Sequence, residues 1–375
     1  MSVALAMSLG CYQSVVVGEL DPPAPQDAGV PSPDAAPDLP EDLGTPEGGV
    51  PVGVSTGVFH SCLLFSTGQL ACWGDELRPR RIALPRGPTE LLDGSCVNLE
   101  GRGYVCGSAV GFGDGGVGDV GLVEGQLLAA TSIRLSGGNC FVFDDGSARC
   151  GRGIRTLASS GVVDIATGFA HICLLDEAGV VRCIGSNEAS QGGQPPSEEL
   201  LSLTVVRGLP PAQAIAAGGE HTCALASGAV YCWGRGAEGQ LGDGEADHGR
   251  ICVTPERTID CTENPVRVLG IDDAVEVAGT AVTTCVRREG GEILCFGSDD
   301  FGALGSDMPT TRLCDDVGCS LAPVPVSGID GAIGLSGGDA HFCAASQRQV
   351  RCWGLDRLDQ LFNGSVDALR DAAGL

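Results

Sequence analysis

Histidine stands two residues before cysteine four times in this chain, as "HSC" at 60–62, "HIC" at 171–173, "HTC" at 221–223 and "HFC" at 341–343. On an extended strand, residues i and i+2 share a face, so each step sets an imidazole beside a thiol. Such a pair could ligate a metal, activate a nucleophilic sulfur or serve a dithiol redox centre. Each of these roles needs one convergent site. A structural zinc ion draws its ligands from a few turns, whereas these steps recur along most of the chain, and Gly94, Gly138 and Thr283 take the histidine place in three sister stretches. No CxxC occurs, the shortest cysteine spacing being Cys314 to Cys319. Repetition of one Cys-His step argues for architecture, so the chain is expected to have no catalytic residue, no metal site and no cofactor.

What the cysteines hold follows from their spacing. Cys11 aside, eighteen of the nineteen fall into local pairs: Cys62/Cys72, Cys96/Cys106, Cys140/Cys150, Cys173/Cys183, Cys223/Cys232, Cys252/Cys261, Cys285/Cys295, Cys314/Cys319 and Cys343/Cys352. Seven of these head stretches such as "CLLFSTGQLAC" and "CALASGAVYC", which recur at very roughly fifty-residue intervals and mark a repeat. Each stretch has β-prone flanks around a Gly-containing or polar turn, the pattern of an antiparallel hairpin. A two-residue loop at Ser227 and Gly228 pairs Ala226 with Ala229, Leu225 with Val230 and Cys223 with Cys232. With ten-residue spacing, a three-residue loop such as Ser66 to Gly68 gives the same opposition. Directly opposed cysteines at a non-hydrogen-bonded pair can bond, and closing such a short loop contributes about 2 to 3 kcal/mol.

Composition narrows the partners. The 59 glycines, 21 prolines and 4% aromatic content indicate short elements joined by many turns. All 22 basic residues are arginines against 48 acidic residues, and a net charge of −26 repels a phosphate backbone, which argues against nucleic acid as a partner. Nineteen cysteines point to an oxidising compartment, so an extracytoplasmic location, in a bacterial cell envelope or secreted, is expected. The opening "MSVALAMSLGC" resembles the end of a bacterial lipoprotein signal peptide, although it lacks a basic n-region and has Ser8 where leucine is usual. That resemblance makes residues 1–10 a signal-like segment and Cys11 a lipidation site that would attach the chain to a membrane. Residues 11–50 read as an acidic, proline-rich tether, with eight prolines and seven acidic residues between 21 and 50. No apolar run of eighteen residues follows, so the expected membrane association is an anchor and not a span.

The stretch "GGEHTCALASGAVYCWGRGAEGQLGDG" at 218–244 resembles the RCC1-like repeat family, named after the regulator of chromosome condensation. So do "GVFHSCLLFSTGQLACWG" at 57–74, "GFAHICLLDEAGVVRCIG" at 168–185 and "GDAHFCAASQRQVRCWG" at 338–354, and the sixth stretch retains "CFGSDDFGALG". The second and third copies lack both the His and the Trp of the pattern. The resemblance covers about residues 51–365 and implies an all-β, seven-bladed β-propeller over 51–375 with cysteine-stapled blade hairpins. It further implies that Gly57, Gly168, Gly218 and Gly338 permit close backbone approach. His60, His171, His221 and His341 would then bridge adjacent units, with Trp73, Trp233 and Trp353 packing between blades.

A scaffold does not settle an activity. The reading favoured here is a non-enzymatic, extracytoplasmic protein-binding or scaffold module with an unidentified protein partner. The alternatives are a secreted inhibitor of an enzyme, and a hydrolase or lyase using an acidic propeller face. Two connectors are expanded, 243–265 with Cys252 and Cys261, and 306–323 with Cys314 and Cys319. They follow equivalent "GQLG" and "GALG" segments, so they are expected as neighbouring protrusions on one side. Arg250, Arg257, Arg312, Asp315 and Asp316 are the candidate partner contacts.

Overall fold

The computed structural model describes residues 49–57, 60–74, 77–82, 90–92, 96–98, 104–106, 130–135, 139–143, 145–150, 155–253, 258–307, 312–314, 317–357, 361–366 and 368. Cys11, the signal-like segment and the tether up to residue 48 lie outside these residues, as do Arg257, Asp315 and Asp316. The described strands all belong to the compact unit Thr45–Leu375.

Turn chemistry sets each hairpin. Ser227 and Gly228 both have positive φ, 51° and 79°, the left-handed pair that a two-residue loop needs to match strand twist. Ala226 then faces Ala229, Leu225 faces Val230 and Cys223 faces Cys232, the register read from the sequence. In the ten-spaced hairpins the extra residue is absorbed in the loop, as at Gly68, where φ is 76° and the N–H bonds to Phe65 O at 2.8 Å. Cysteine accordingly opposes cysteine in all seven hairpins. In the six whose disulfides are described, the Cα atoms are 4.1 Å apart. For Cys96 and Cys106 the backbone register is described and the side chains are not.

These hairpins are the middle strands of seven antiparallel sheets among the described residues. The first sheet has β1 (Pro51–Thr56), β2 (His60–Phe65), β3 (Leu70–Gly74) and β4 (Leu77–Ile82). The second has β5 (Glu90–Leu92), β6 (Cys96–Asn98) and β7 (Tyr104–Cys106). The third has β8 (Ala130–Leu135), β9 (Asn139–Phe143), β10 (Ala148–Cys150) and β11 (Arg155–Ala158). The fourth has β12 (Val162–Thr167), β13 (His171–Asp176), β14 (Val181–Asn187) and β15 (Ser197–Val205). The fifth has β16 (Ala214–Ala217), β17 (His221–Ala226), β18 (Ala229–Arg235), β19 (Ile251–Val253) and β20 (Thr258–Arg267). The sixth has β21 (Ala274–Gly279), β22 (Thr283–Arg288), β23 (Ile293–Ser298), β24 (Arg312–Cys314) and β25 (Val317–Pro325). The seventh has β26 (Gly334–Gly337), β27 (His341–Ala345), β28 (Gln349–Gly354) and β29 (Gly364–Ser365).

The leading strand of each sheet lies against that of the next, through β1, β5, β8, β12, β16, β21 and β26, and β26 lies against β1. Period-two alternation gives each sheet two apolar faces. Cys232 points one way and Trp233, its neighbour, the other. The core is therefore layered: the disulfide face of one sheet meets the aromatic face of the following one. Cys173 and Cys183 pack with Ile215, Ala224 and Trp233. Cys285 and Cys295 pack with Phe342 and Trp353, and Cys343 and Cys352 with Leu63 and Trp73 of the first sheet. Trp73, Trp233 and Trp353 are at most 4% exposed. Such layers leave few unpaired edges inside the assembly.

Peptide mapping of the unreduced protein is expected to recover only local links, Cys223 to Cys232 and Cys343 to Cys352 among them. Reduction should lower the urea midpoint, with each short loop contributing about 2 to 3 kcal/mol. Long-range links would contradict this register.

Candidate functional site

Three repeat histidines, His171, His221 and His341, are buried between sheets. His171 and His221 are each 1% exposed and His341 is 0% exposed. His171 Nε2 lies 2.9 Å from Thr222 Oγ1, His221 Nε2 lies 2.8 Å from Thr284 Oγ1, and His341 Nε2 lies 3.0 Å from Ser61 Oγ. In each case the hydroxyl belongs to the following sheet, and the third contact joins the last sheet to the first. Thr222 and Thr284 donate their single hydroxyl protons to Gln191 O and Gln240 O, at 2.9 and 3.1 Å. A carbonyl only accepts, so His171 and His221 must donate from Nε2. Burial disfavours the charged form, so they are neutral Nε2–H tautomers, each leaving Nδ1 without a hydrogen-bond partner among the described residues. Trp233 Nε1 donates to the same Gln191 O at 2.9 Å, which ties the connector of the fourth sheet to two strands of the fifth.

Glycine three residues before each histidine is a steric requirement of this joint. A Cβ on Gly168 would stand 2.1 Å from His171 Cε1 and 2.4 Å from Gly218 O, and one on Gly218 would meet His221 Cε1 and Thr280 O at the same two distances. The receiving residue also tracks the histidine along the chain. After His171, His221 and His341 the next sheet offers Thr222, Thr284 and Ser61, and after His60 the sequence places Ser95 at that point. Where Gly94, Gly138 and Thr283 replace histidine, the residues at that point are Asn139, Ile172 and Phe342. Burial holds His171 down to about 4. Burial, then the repulsion that a charged His171 would exert and the charge of Arg235, hold His221 down to about 3.

The two expanded connectors form hairpins of a second kind. β19 pairs with β20, and β24 with β25, while β20 and β25 pair with the middle strands β18 and β23. The connectors thus add a fifth, outermost strand to each of two neighbouring sheets. They are not free protrusions, because the fourth strand itself supplies their pairing edge. Disulfides Cys252–Cys261 and Cys314–Cys319 staple them, with Cα atoms 5.9 Å apart in both. The first packs onto the preceding sheet, where Cys252, Cys261 and Ile259 cluster with Ala189. Its outer strand exposes Ile251 and Val253, at 66% and 74%.

Of the candidate contacts, Arg250 is exposed beside β19 and pairs with Glu263 at 2.8 Å. Arg312 stands in β24 opposite Cys319, and its side chain is not among those described. Two polar groups here escaped the sequence reading. Arg235 bonds Glu238 through Nε at 2.8 Å and through Nη2, and Glu220 through Nη1 at 3.0 Å, bracing the connector after Trp233. His248, with a side chain 4% exposed, lies between Asp243, 3.1 Å from Nε2, and Asp260, bonded to Nδ1. Burial opposes its charge, but hydrogen bonds to Asp243 and Asp260 and the negative charges of both outweigh it and raise the pKa to about 10. This cation latches the base of the β19–β20 hairpin. The only sequence signal was a histidine among aspartates in "GDGEADHGR", outside the repeated pattern.

Residues 212–240 and 227–285 match the Regulator of chromosome condensation (RCC1) repeat. Among similar proteins is the human probable E3 ubiquitin-protein ligase HERC4, 31% identical over 44% of this chain and 15% of its own length. Another is the ultraviolet-B receptor UVR8 of Arabidopsis thaliana, 29% identical over 41% of this chain and 32% of its own length. The chain thus spans a third or less of these relatives. Yeast RCC1 (Prp20), solved bound to Kap60, superposes with a TM-score of 0.53 at 18% identity, over 85% of this chain and 75% of that one. Human WBSCR16 superposes with a TM-score of 0.58 at 14% identity, over 80% and 88% of the two chains. The fold is an all-β, RCC1-like propeller with disulfide-linked hairpins, and the matched RCC1 repeats lie within residues 212–285.

The relatives correct the expected location. They are nuclear or cytoplasmic proteins, so an extracytoplasmic, bacterial-envelope or secreted placement does not hold. The inference failed because cysteine number reports compartment only indirectly. Opposed cysteines also pack as small apolar residues, and here the hairpin pairs serve the inter-sheet layers.

Two titrations follow. A histidine that must be neutral when folded adds stability above its unfolded pKa, near 6.5, and loses it as pH falls toward its folded value. His171 and His221 should each cost roughly 2 kcal/mol at pH 5, so the urea midpoint should drop between pH 6.5 and 4, and His171→Gln should shrink that drop. His248 has the opposite sign. Its latch is complete below pH 6.5 and weakens toward about 10, so its imidazole NMR signals should stay those of the cation up to pH 8.5.

Proposed function

We propose that this chain is a protein-binding module whose seven sheets close into a seven-bladed propeller, and that its docking surface is built on the two stapled outer hairpins. Closure is supported by the joint between the last sheet and the first. Thr56 N donates to Ser336 Oγ at 3.0 Å, Ser61 Oγ meets His341 Nε2, and Val54, Leu63 and Trp73 share a core with Cys343 and Cys352.

The observation that carries the binding role is the pair of fifth strands. Neighbouring sheets each spend a disulfide on an element that the layered core does not require. The first of them presents Ile251, Val253 and Arg250 to solvent. A stapled, latched hairpin loses little entropy on docking, which favours affinity. Arg257, Arg312, Asp315 and Asp316, which the sequence places in the same two connectors, are the further candidate contacts. With a net charge of −26 the favoured partner is a basic protein. Proteins of this fold do bind others: yeast RCC1 is held by Kap60, and Prp20p has binding properties toward Gsp1p and histones.

Replacing 243–257 and 306–316 by short linkers that keep β20 and β25 is expected to abolish recovery of a crosslinked partner, leaving the thermal midpoint of the propeller within a few degrees. Unchanged capture by the shortened protein overturns the surface. Turnover of a defined substrate by the isolated chain overturns the binding role itself.

A further inference from the structure

The fourth strands β15, β20 and β25 hold equivalent registers. Glu199 of β15 stands opposite Ser186, as Cys261 stands opposite Arg235 and Cys319 opposite Ser298. Beyond that point two of the three are covered by a strand of this same chain. Cys261 gives its N–H to Arg250 O at 3.3 Å, and Cys319 faces Arg312. The covering strands read "RICV" and "RLC", in both of which an arginine meets this register position and an aliphatic residue follows.

Among the described residues the third edge is uncovered. β15 is the outermost strand of its four-stranded sheet and runs for nine residues. Exposed edge strands invite pairing, and proteins guard them with charge and bulges. β15 has both devices, Glu198 and Glu199 exposed and a register break after Leu200. Neither glutamate forms an ion pair among the described residues. The strand also presents Leu201, 84% exposed, and Val205, 40% exposed, which a purely guarded edge would not need. The covering strands of the neighbours run from this register position toward the N-terminus of the strand they cover, over 258–261 and 317–319, so the equivalent open length of β15 is 197–199.

We infer that β15 accepts a fifth strand in trans, an extended segment of a protein partner reading arginine then aliphatic, whose arginine lies opposite Glu199 and whose aliphatic residue lies opposite Glu198. Its two neighbours supply the template, and the glutamates supply the charge that the partner must complement. A second copy of this chain is the poorer occupant, since the open length of β15 holds two acidic residues and no basic one and each copy carries −26. The assignment rests on the protein-binding reading above but concerns a different sheet, so the two fail separately.

The probe is the chain's own covering strand as a synthetic peptide, Gly-Arg-Ile-Ser-Val-Thr, added at up to millimolar concentration to the full-length protein. Amide resonances of 197–199 should shift. The double variant Glu198→Lys with Glu199→Lys should weaken the peptide by about tenfold and should gain affinity for Gly-Glu-Ile-Ser-Val-Thr. Methylating the isoleucine amide of the probe should remove binding, because strand addition depends on main-chain hydrogen bonds. Shifts confined to other residues, no shift at all, or a charge reversal without effect overturns the inference. So does a dimer that the double variant dissolves, since the occupant is then a second copy. Loss of peptide binding with intact partner capture through the stapled hairpins leaves the function standing and removes β15 from it.

Discussion

The structure depends on the opposition of two cysteines across each repeat hairpin. Strand side chains alternate between faces, so a slip of one residue would exchange the disulfide face for the aromatic face. Cys232 and Trp233 are adjacent, and each must find a different neighbouring sheet. With Cys223 bonded to Cys232, Trp233 is committed to the fourth sheet and Cys232 to the sixth side. The same commitment repeats at Cys72 with Trp73 and at Cys352 with Trp353. A local covalent constraint thereby dictates the order of layers through the whole assembly.

On these layers the histidine joints add specificity. A buried hydroxyl that donates its proton to a carbonyl can accept only from an imidazole N–H, which fixes the Nε2 proton, while burial keeps the ring neutral. The joint is built from three distant pieces of chain: the histidine, the hydroxyl of the following sheet and the carbonyl of a connector. Where histidine is missing, the partner position has changed as well, to Asn139, Ile172 or Phe342. At Ile172 and Phe342 apolar packing replaces a polar joint instead of leaving a donor unpaired.

The outer strands show how a repeat scaffold acquires individuality. Sheets five and six extend their edges with inserted strands, one of them latched by the buried cation of His248. Sheet four ends on β15 with its glutamates and Leu201 exposed. The core faces are nearly interchangeable between sheets, so difference can accumulate only at the rim. The Arg235, Glu238 and Gln240 network braces the connector from which the first insertion departs, holding the rim to the core.

Much of the fold was legible along the chain. Cysteine spacing, turn residues and the repeated Gly-x-x-His step specify hairpins, their register and their number, because all are encoded within about a dozen contiguous residues. The resemblance to RCC1-like repeats rested on the same local patterns. Composition misled about location, since a cysteine count cannot distinguish an extracellular framework from pairs that serve packing. The expanded connectors were recognised as insertions, but their conversion into fifth strands was not legible, because it needs an edge supplied by β20 and β25 after the sheet has formed. His248 escaped for a similar reason: its two carboxylates are neighbours only once the hairpin brings Asp260 back to Asp243. Sequence by itself determined the units and their faces through local register. Tertiary structure alone decided which edges are covered, which charges are buried together and which hydroxyl each histidine meets, since those contacts join residues dozens to hundreds of positions apart.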